Sequence, residues 1–404
     1  MTHQEEATDP DASGLIDRFC ASCKEAVLAE LRHILRAHRW NHDALEDLVL
    51  DYPLRPAKGL RPALCIATSR ALGVAEDAVT TTAAVIELLH NAFLIHDDVE
   101  DESLLRRGEP TLQEAHGLPI AVNVADGMFA LAMLALLDNL ELLGLRASLE
   151  IFRQIVDMLW TTVGGQAIEL GWIRANTWRF ADYRAAYEDL VIRKTATYSF
   201  IVPIQVACIA APASPELRVG LAAFGRHVGI AFQIADDLLN LRDDAEGYGK
   251  EVRGDLWEGK RTLMLLHALH QETDEAVAGA AAAILARRRP GSDELHTELR
   301  QVAAVVDDLH ASGHVDGVGR ASVLVALRRA WAARRDADAK TVADVRALSE
   351  LIERHGGVAY AHAAALEHVR WAERALGRCA PELAPGEARD FLFALPAYVL
   401  GRLK

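Results

Sequence analysis

Carboxylates crowd the end of one apolar stretch more densely than ordinary surface chemistry explains. In "HNAFLIHDDVEDESLLRRGEPT" (90–111) a mostly apolar run meets Asp97, Asp98, Glu100, Asp101 and Glu102, then Arg106 and Arg107. On a helix, residues four apart stand one above the other, so Asp97 and Asp101 project from one face. Like charges at that spacing repel by about 0.2–0.5 kcal/mol, and anions are disfavoured at a helix C-terminus. A divalent cation reverses both effects. Oxygen donors with no Cys or His cluster nearby suit Mg²⁺, which takes one or two carboxylates and completes its shell with water and phosphate oxygens.

A second apolar run ends the same way. "FQIADDLLN" (232–240) carries Asp236 and Asp237, with Asn240 four residues after Asp236. Facing each other across a bundle cavity, the two acidic ends would form a multi-metal cup for a diphosphate. Cations accompany them: Lys58 and Arg61 in "KGLRP", Arg106 and Arg107, Lys194 in "RKT", and Lys250 and Lys260, each after a glycine. Lys194 interrupts an otherwise apolar helix, where a lone ammonium is costly without an anionic partner. Acidic helix ends, basic loops and an acidic net charge describe two anion sites, one of them reached through metal.

These motifs resemble the trans-isoprenyl diphosphate synthase (polyprenyl synthetase) family, with a geranylgeranyl diphosphate synthase-like pattern. "HDDVEDESLLRRGEPT" is similar to its first aspartate-rich motif and "FQIADDLLNLRDD…GYGKEVRGDLWEGKRT" to its second, while "KGLRP" and "GGQAIEL" (164–170) match further signatures. The match runs in order from Lys58 to Leu269. The resemblance implies an all-α fold around a deep apolar cavity and Mg²⁺-dependent, head-to-tail condensation of isopentenyl diphosphate with an allylic diphosphate (dimethylallyl, geranyl or farnesyl). It also implies that Asp97, Asp101 and Asp236 hold Mg²⁺, with Asp98 and Asp237 supporting or completing the metal shells. Arg106, Lys194 and Lys250 would then contact the allylic diphosphate, with Lys260 nearby. Lys58, Arg61, His90 and Arg107 would bind the isopentenyl diphosphate, and Thr195 and Gln233 would line the reacting centre. A homodimer is usual in the family.

One departure stands out: Asn240 replaces the usual third aspartate of the second motif. Asn keeps an oxygen acceptor and loses a charge, so activity is expected to survive with weaker metal affinity or turnover. Product length is expected from the residues one turn below Asp97. The resemblance implies that aromatics there shorten the product, and Phe93 beside the small Ala92 points to the twenty-carbon geranylgeranyl diphosphate. Two other readings compete. A class I terpene cyclase shares the fold, and "DDAEGYGKE" (243–251) fits a loose form of its metal triad, but Lys58, Arg61 and Arg107 would then lack a purpose. A non-catalytic regulatory subunit would be expected to have lost aspartates from the first motif, which is intact.

The elements that must position these residues are helical. Apolar residues recur at three- and four-residue spacing through 15–35, 79–95, 128–137, 149–163, 183–211, 217–241, 262–269 and 342–376. Breakers separate them, including "DYPLRPAKGLRP" (51–62), "RRGEPT" (106–111) and "HGLP" (116–119). Many helices joined by short loops predict an all-α bundle. Residues 1–14 read as a disordered acidic N-terminus, 15–404 as one domain, and about 287–340 as an irregular or extended region. The chain has 404 residues and a formal charge of -15, a balance that argues against nucleic acid as the main partner. Five scattered cysteines fit reduced, cytosolic thiols. The polar N-terminus does not look like a signal peptide, and no apolar run appears long enough for a membrane span. A soluble, cytoplasmic enzyme is the expectation.

Overall fold

The computed structural model describes residues 10–38, 43–241, 253–288 and 339–402, with a few positions between 305 and 314. Helices account for nearly all of it. The first, α1 (Pro10–Ala37), starts five residues before the expected boundary, so 10–14 are helical. Helix α2 (Asp43–Leu54) runs through Asp51, Tyr52 and Pro53, which the sequence suggested as a breaker. Helices α3 (Leu60–Ala71) and α4 (Asp77–Glu100) follow. Apolar on almost every side, α4 is the type of helix that must be buried, and α1, α3 and the long α6 surround it.

A short hairpin interrupts the helices. Leu105–Arg106 pairs antiparallel with Glu109–Pro110, Leu105 opposite Pro110 and Arg106 opposite Glu109. Its two-residue loop has positive φ at both Arg107 (56°) and Gly108 (80°), the backbone that matches the twist of a tight hairpin. Arg106 and Arg107 thereby leave the chain in fixed directions rather than from a floppy loop.

After α5 (Leu112–His116), helix α6 spans Leu118–Arg174, broken at Gly144 where φ is 74° and ψ 169°. Helix α7 (Tyr183–Val191) passes directly into a π-helical segment, Ile192–Ile201, and then into α8 (Val202–Ala210). A π turn adds a residue to the helical register and often marks a functional position. Helix α9 (Pro215–Leu241) packs on this segment and on the helix Gly357–Cys379. The apolar stretch 342–376 is two helices, Val342–Arg354 and Gly357–Cys379, separated at Gly356 with φ of 66°. Most of the region expected to be irregular, 287–340, lies outside the described residues.

Two apolar clusters form the core. The larger joins α1, α3, α4, α6 and α8 with the early part of α9; the smaller gathers Tyr187, Val191, the end of α9 and the helices Leu263–Gln271 and Val342–Arg354. By length and composition alone, α4 and α6 are apolar enough to cross a membrane, contrary to the sequence expectation. For α4 the reason is burial, since 78 % of its most apolar window is inside the protein; for α6 the figure is 44 %.

Candidate active site

A cavity of about 1120 Å³ opens where the two clusters meet, lined by Leu60, Tyr198 and Phe200 from one and Tyr187 and Val191 from the other. Of the predicted site residues within the described chain, all line it except Asp98 and Asp101. Lys250 lies outside the described residues, as does the stretch that resembled a cyclase triad.

One wall is acidic. In the last turn of α4, Asp97 accepts from Lys194 Nζ at 3.2 Å, and Glu169 of α6 accepts from the same ammonium. Burial disfavours the charge on Lys194, but these two carboxylates outweigh it and raise its pKa. The approach of α6 to the π segment depends on Gly165, where a Cβ would stand 2.5 Å from the backbone nitrogen of Lys194. The "GGQAIEL" stretch thus supplies both the room for Lys194 and its second partner.

Across the cavity, α9 presents Gln233, Asp236 and Asp237. Thr195 donates to Gln233 Oε1 at 3.0 Å, and Gln233 Nε2 donates to Asp237 Oδ1 at 2.8 Å. Tyr187 donates to the other Asp237 oxygen at 2.7 Å. Burial, then the nearby charge of Asp255, pushes Asp237 up to about 8. Arg402, from the end of the helix Glu387–Gly401, reaches Asp236 Oδ1 at 2.7 Å and stacks over Phe232.

The first acidic motif divides its labour. Asp98 is fully buried, accepting from Tyr52 at 2.6 Å and from Arg106 Nε at 2.9 Å, and it turns away from the cavity. It anchors Arg106 and does not itself line the cavity. Asp101 sits around the corner in an adjoining pocket, paired with Lys260 at 2.5 Å, while Glu258 binds that ammonium at 2.7 Å. Lys260 lines both spaces.

The other wall is cationic. Arg61 donates to Ser199 at 3.0 Å and to Tyr198 at 3.2 Å, and Arg107 donates to the Tyr52 carbonyl at 3.0 Å. Lys58 stands at the rim, bound to Asp17 at 2.7 Å. His90, buried between them, has its pKa driven well below the usual range by burial and then by Arg61 and Arg107. A neutral imidazole at neutral pH is a hydrogen-bonding group there, not a charge. An anion is the natural guest of so many cations around one neutral ring. Phe93 lines the same cavity, edge-on to Phe129 at 5.3 Å and tilted against Tyr198 at the same distance; its neighbour Ala92 is buried.

Several participants carried no assigned role in the sequence reading: Tyr52, Phe129, Glu169, Tyr187, Asp255 and Arg402. Glu169 and Asp255 sit inside quoted motifs, so a signal existed for them. Arg402 lies in the closing stretch "YVLGRL", which also resembles the family, whereas Tyr52 reaches the site only through tertiary packing.

A helical bundle with acidic helix ends and a cationic wall around one apolar cavity defines a class of diphosphate-handling enzymes, and comparison with known proteins narrows it. The profile of the polyprenyl synthetase family matches residues 43–302. The chain is 29 % identical over 345 residues to a short chain isoprenyl diphosphate synthase of Methanothermobacter thermautotrophicus, covering 85 % of this chain and 86 % of that one. It is 37 % identical over 220 residues to the octaprenyl diphosphate synthase of Escherichia coli, covering 54 % and 64 %. The solved geranylgeranyl pyrophosphate synthase of Corynebacterium glutamicum, complexed with isoprenyl diphosphate and magnesium, superposes with a TM-score of 0.70 at 22 % identity, covering 96 % of this chain and 99 % of that one. The chain belongs to the polyprenyl synthetase family, and so to the prenyl-transferring enzymes.

Proposed function

We propose that the protein condenses isopentenyl diphosphate with an allylic diphosphate in the presence of Mg²⁺, giving geranylgeranyl diphosphate. The observation that carries this reading is one cavity lined by carboxylates at one side and cations at the other, with aromatic side chains between.

The donor set fits magnesium. Asp97 and Asp236 offer oxygen alone at the cavity, with Asp237 beside Asp236 as support, and Mg²⁺ would draw the rest of its shell from the diphosphate and water because among the described residues no three acidic, His or Cys side chains group to hold an ion. Such carboxylates suit an ion that shares its shell with phosphate oxygens and water. When bound, Mg²⁺ would supply positive charge to a leaving diphosphate. Lys194, Arg106 and Lys260 add fixed charge on the same side, where pre-set donors need no reorganisation as charge develops. Lys58, Arg61, Arg107 and His90 hold the second diphosphate without metal.

Between them the allylic carbon–oxygen bond breaks, the isopentenyl double bond attacks the allylic carbon, and a proton passes to the departing pyrophosphate. Thr195 and Gln233, locked by their hydrogen bonds to one another and to Asp237, present oriented oxygens beside the reacting carbons. Phe93, Phe129 and Tyr198 exclude water from the cation. The relatives span short and octaprenyl products, so length rests on these rings. Phe93 beside Ala92 supports a chain of twenty carbons.

A homodimer is supported by α6, where Leu145 (66 %), Leu149 (58 %) and Trp160 (82 %) are exposed away from the cavity lining. So apolar a surface on one helix suits a second copy of the chain.

The test is incubation with isopentenyl diphosphate, each allylic primer in turn and Mg²⁺, with products sized by chromatography. A single twenty-carbon diphosphate is expected. Hydrocarbon release without elongation would make the protein a cyclase, and no turnover with any primer would make it a non-catalytic subunit.

A further inference from the structure

Arg261 follows Lys260 in the "GKRT" stretch and lines the cavity while being only 2 % exposed. Its guanidinium meets neutral oxygens. Nε donates to the Thr177 carbonyl at 3.0 Å, Nη2 to Asn176 Oδ1 at 2.7 Å, and Nη1 to the Gly259 carbonyl. The other buried arginines face acids, Arg55 pairing with Asp51 and Arg106 with Asp98. The carboxylate that favours the charge on Arg261, Glu169, is hydrogen-bonded to Lys194 instead. Burial lowers the pKa of Arg261 to about 10, which still leaves a cation at neutral pH. Its setting is rigid. Asn176, just past the end of α6, occupies the left-handed region at φ of 48°, which asparagine tolerates better than most residues. Asn176 Nδ2 donates to the Ala282 carbonyl at 2.8 Å, and that bond aims Oδ1 at Arg261. A guanidinium so held keeps further N–H groups unused.

We infer that Arg261 is a further anion-binding residue of the cavity, its charge left open for the allylic diphosphate on the side of Lys194 and Lys260. This rests on the diphosphate reading above. Lys194 lies between Asp97 and Glu169, and Lys260 between Asp101 and Glu258, so both ammonium charges are already balanced within the fold. Arg261 is the buried cation beside them that no carboxylate among the described residues pairs with. A staple joining the end of α6 to the Gly259 turn would account for the three hydrogen bonds. It would not account for a full charge at a cavity wall, because an uncharged donor serves carbonyls at a smaller desolvation cost. A buried charge without a counter-ion is strongly disfavoured, and an incoming phosphate supplies one.

The test is calorimetric titration of the intact protein with farnesyl diphosphate and, separately, with isopentenyl diphosphate, each in the presence of Mg²⁺. Neither condenses without the other. Arg261→Gln should weaken farnesyl diphosphate binding by about 10–100-fold, the strength of a hydrogen bond between charged groups. Isopentenyl diphosphate, held by the opposite wall, should bind within about twofold of the unaltered protein. Arg261→Lys keeps the charge but cannot reach all three oxygens, so it should recover most of the lost affinity. Asn176→Ala removes one oxygen and keeps the charge; it should lower the melting temperature and leave farnesyl diphosphate binding within about threefold. A staple predicts the reverse, with Arg261→Lys as weak as Arg261→Gln and Asn176→Ala weakening both ligands. That pattern overturns the assignment. Arg261→Lys keeps it falsifiable even if Arg261→Gln does not fold, because a folded lysine variant binding about 10–100-fold more weakly also overturns it. Unaltered binding in Arg261→Gln, with binding lost in Lys194→Gln, overturns it too and spares the diphosphate reading. No binding of either diphosphate by the unaltered protein removes that reading, and this inference with it.

Discussion

The phenol of Tyr52 donates a 2.6 Å hydrogen bond to Oδ2 of Asp98, and both residues are completely buried. Arg106 takes the remaining oxygen of that carboxylate and stands 3.6 Å from Asp97. Arg55, stacked on the Tyr52 ring, donates to the carbonyls of Arg106 and Pro110 at 3.0 and 2.8 Å. The end of α2 thus clamps the hairpin that aims Arg106 at the cavity. Removing one donor from a buried carboxylate costs about 1–3 kcal/mol. Breaking a buried ion pair costs about 3–5 kcal/mol. Tyr52→Phe should therefore lower the urea-unfolding free energy modestly, and Asp98→Ala severely. An Asp98→Ala protein of unchanged stability that loses only Mg²⁺ affinity would return Asp98 to the metal cup.

Adjacent glycines should behave oppositely. A Cβ at Gly165 would press into the backbone of Lys194, whereas one at Gly164 meets nothing within 4 Å. Gly165→Ala should cost about 1–3 kcal/mol as an overpacked contact, and it should depress turnover by displacing Lys194 from Asp97. Gly164→Ala lies in a helix with open space around it and should stabilise by about 0.5–1 kcal/mol. Thermal melts of the two variants, run beside their activity, check this; equal effects at both positions would refute the close-approach account.

The contrast between these residues shows what the sequence could and could not reveal. Carboxylates at helix ends and an ammonium within an apolar run are local anomalies, so Asp97, Asp236 and Lys194 stood out. Asp98 differs from Asp97 only by which way it faces, and that is set by Tyr52, 46 residues away. The clamp itself was hidden because Pro53 and Pro56 made its segment read as a breaker. The π segment left no trace in the apolar spacing of 183–211. It is fixed by tight packing, including Gly229, where a Cβ would come within 2.5 Å of the Ala196 side chain. Helical periodicity gave the elements, and the partners across the bundle decided which side chains enter the cavity.

Product length offers a direct reading of the aromatic lining. Phe93 and Phe129 meet there as an edge-to-face pair, so neither ring alone is the barrier. Phe93→Ala should shift the product beyond twenty carbons, and adding Phe129→Ala should shift it further. Truncating a packed phenylalanine costs about 3–5 kcal/mol when the space cannot collapse. Product sizing should accordingly be done well below the melting temperature of each variant. An unchanged twenty-carbon product in the double variant would move the length determinant elsewhere.

Acid should weaken the fold through one network away from the cavity. Glu188 Oε1 accepts from Arg184 at 2.7 Å and from His368 at 3.2 Å, and His368 meets His227 at 3.0 Å. Burial opposes ionisation of Glu188, but the His368 and Arg184 hydrogen bonds outweigh it and hold the pKa at about 2, against an ordinary 4.5. Stability from this carboxylate is complete above pH 4.5 and is lost as pH falls towards 2. Its size is about 1–3 kcal/mol once solvent screening is allowed for. His227 is pressed down to about 4 by burial, and then by the charge of His368. The folded protein keeps it neutral while an unfolded histidine takes up a proton, so stability also falls from pH 6.5 to about 4. Melting temperature should consequently decline in two overlapping steps between pH 7 and 3. His227→Gln should flatten the upper step and Glu188→Gln the lower, at the expense of stability at neutral pH in the second case. Identical pH–melting profiles for wild type and both variants would sink the assignment.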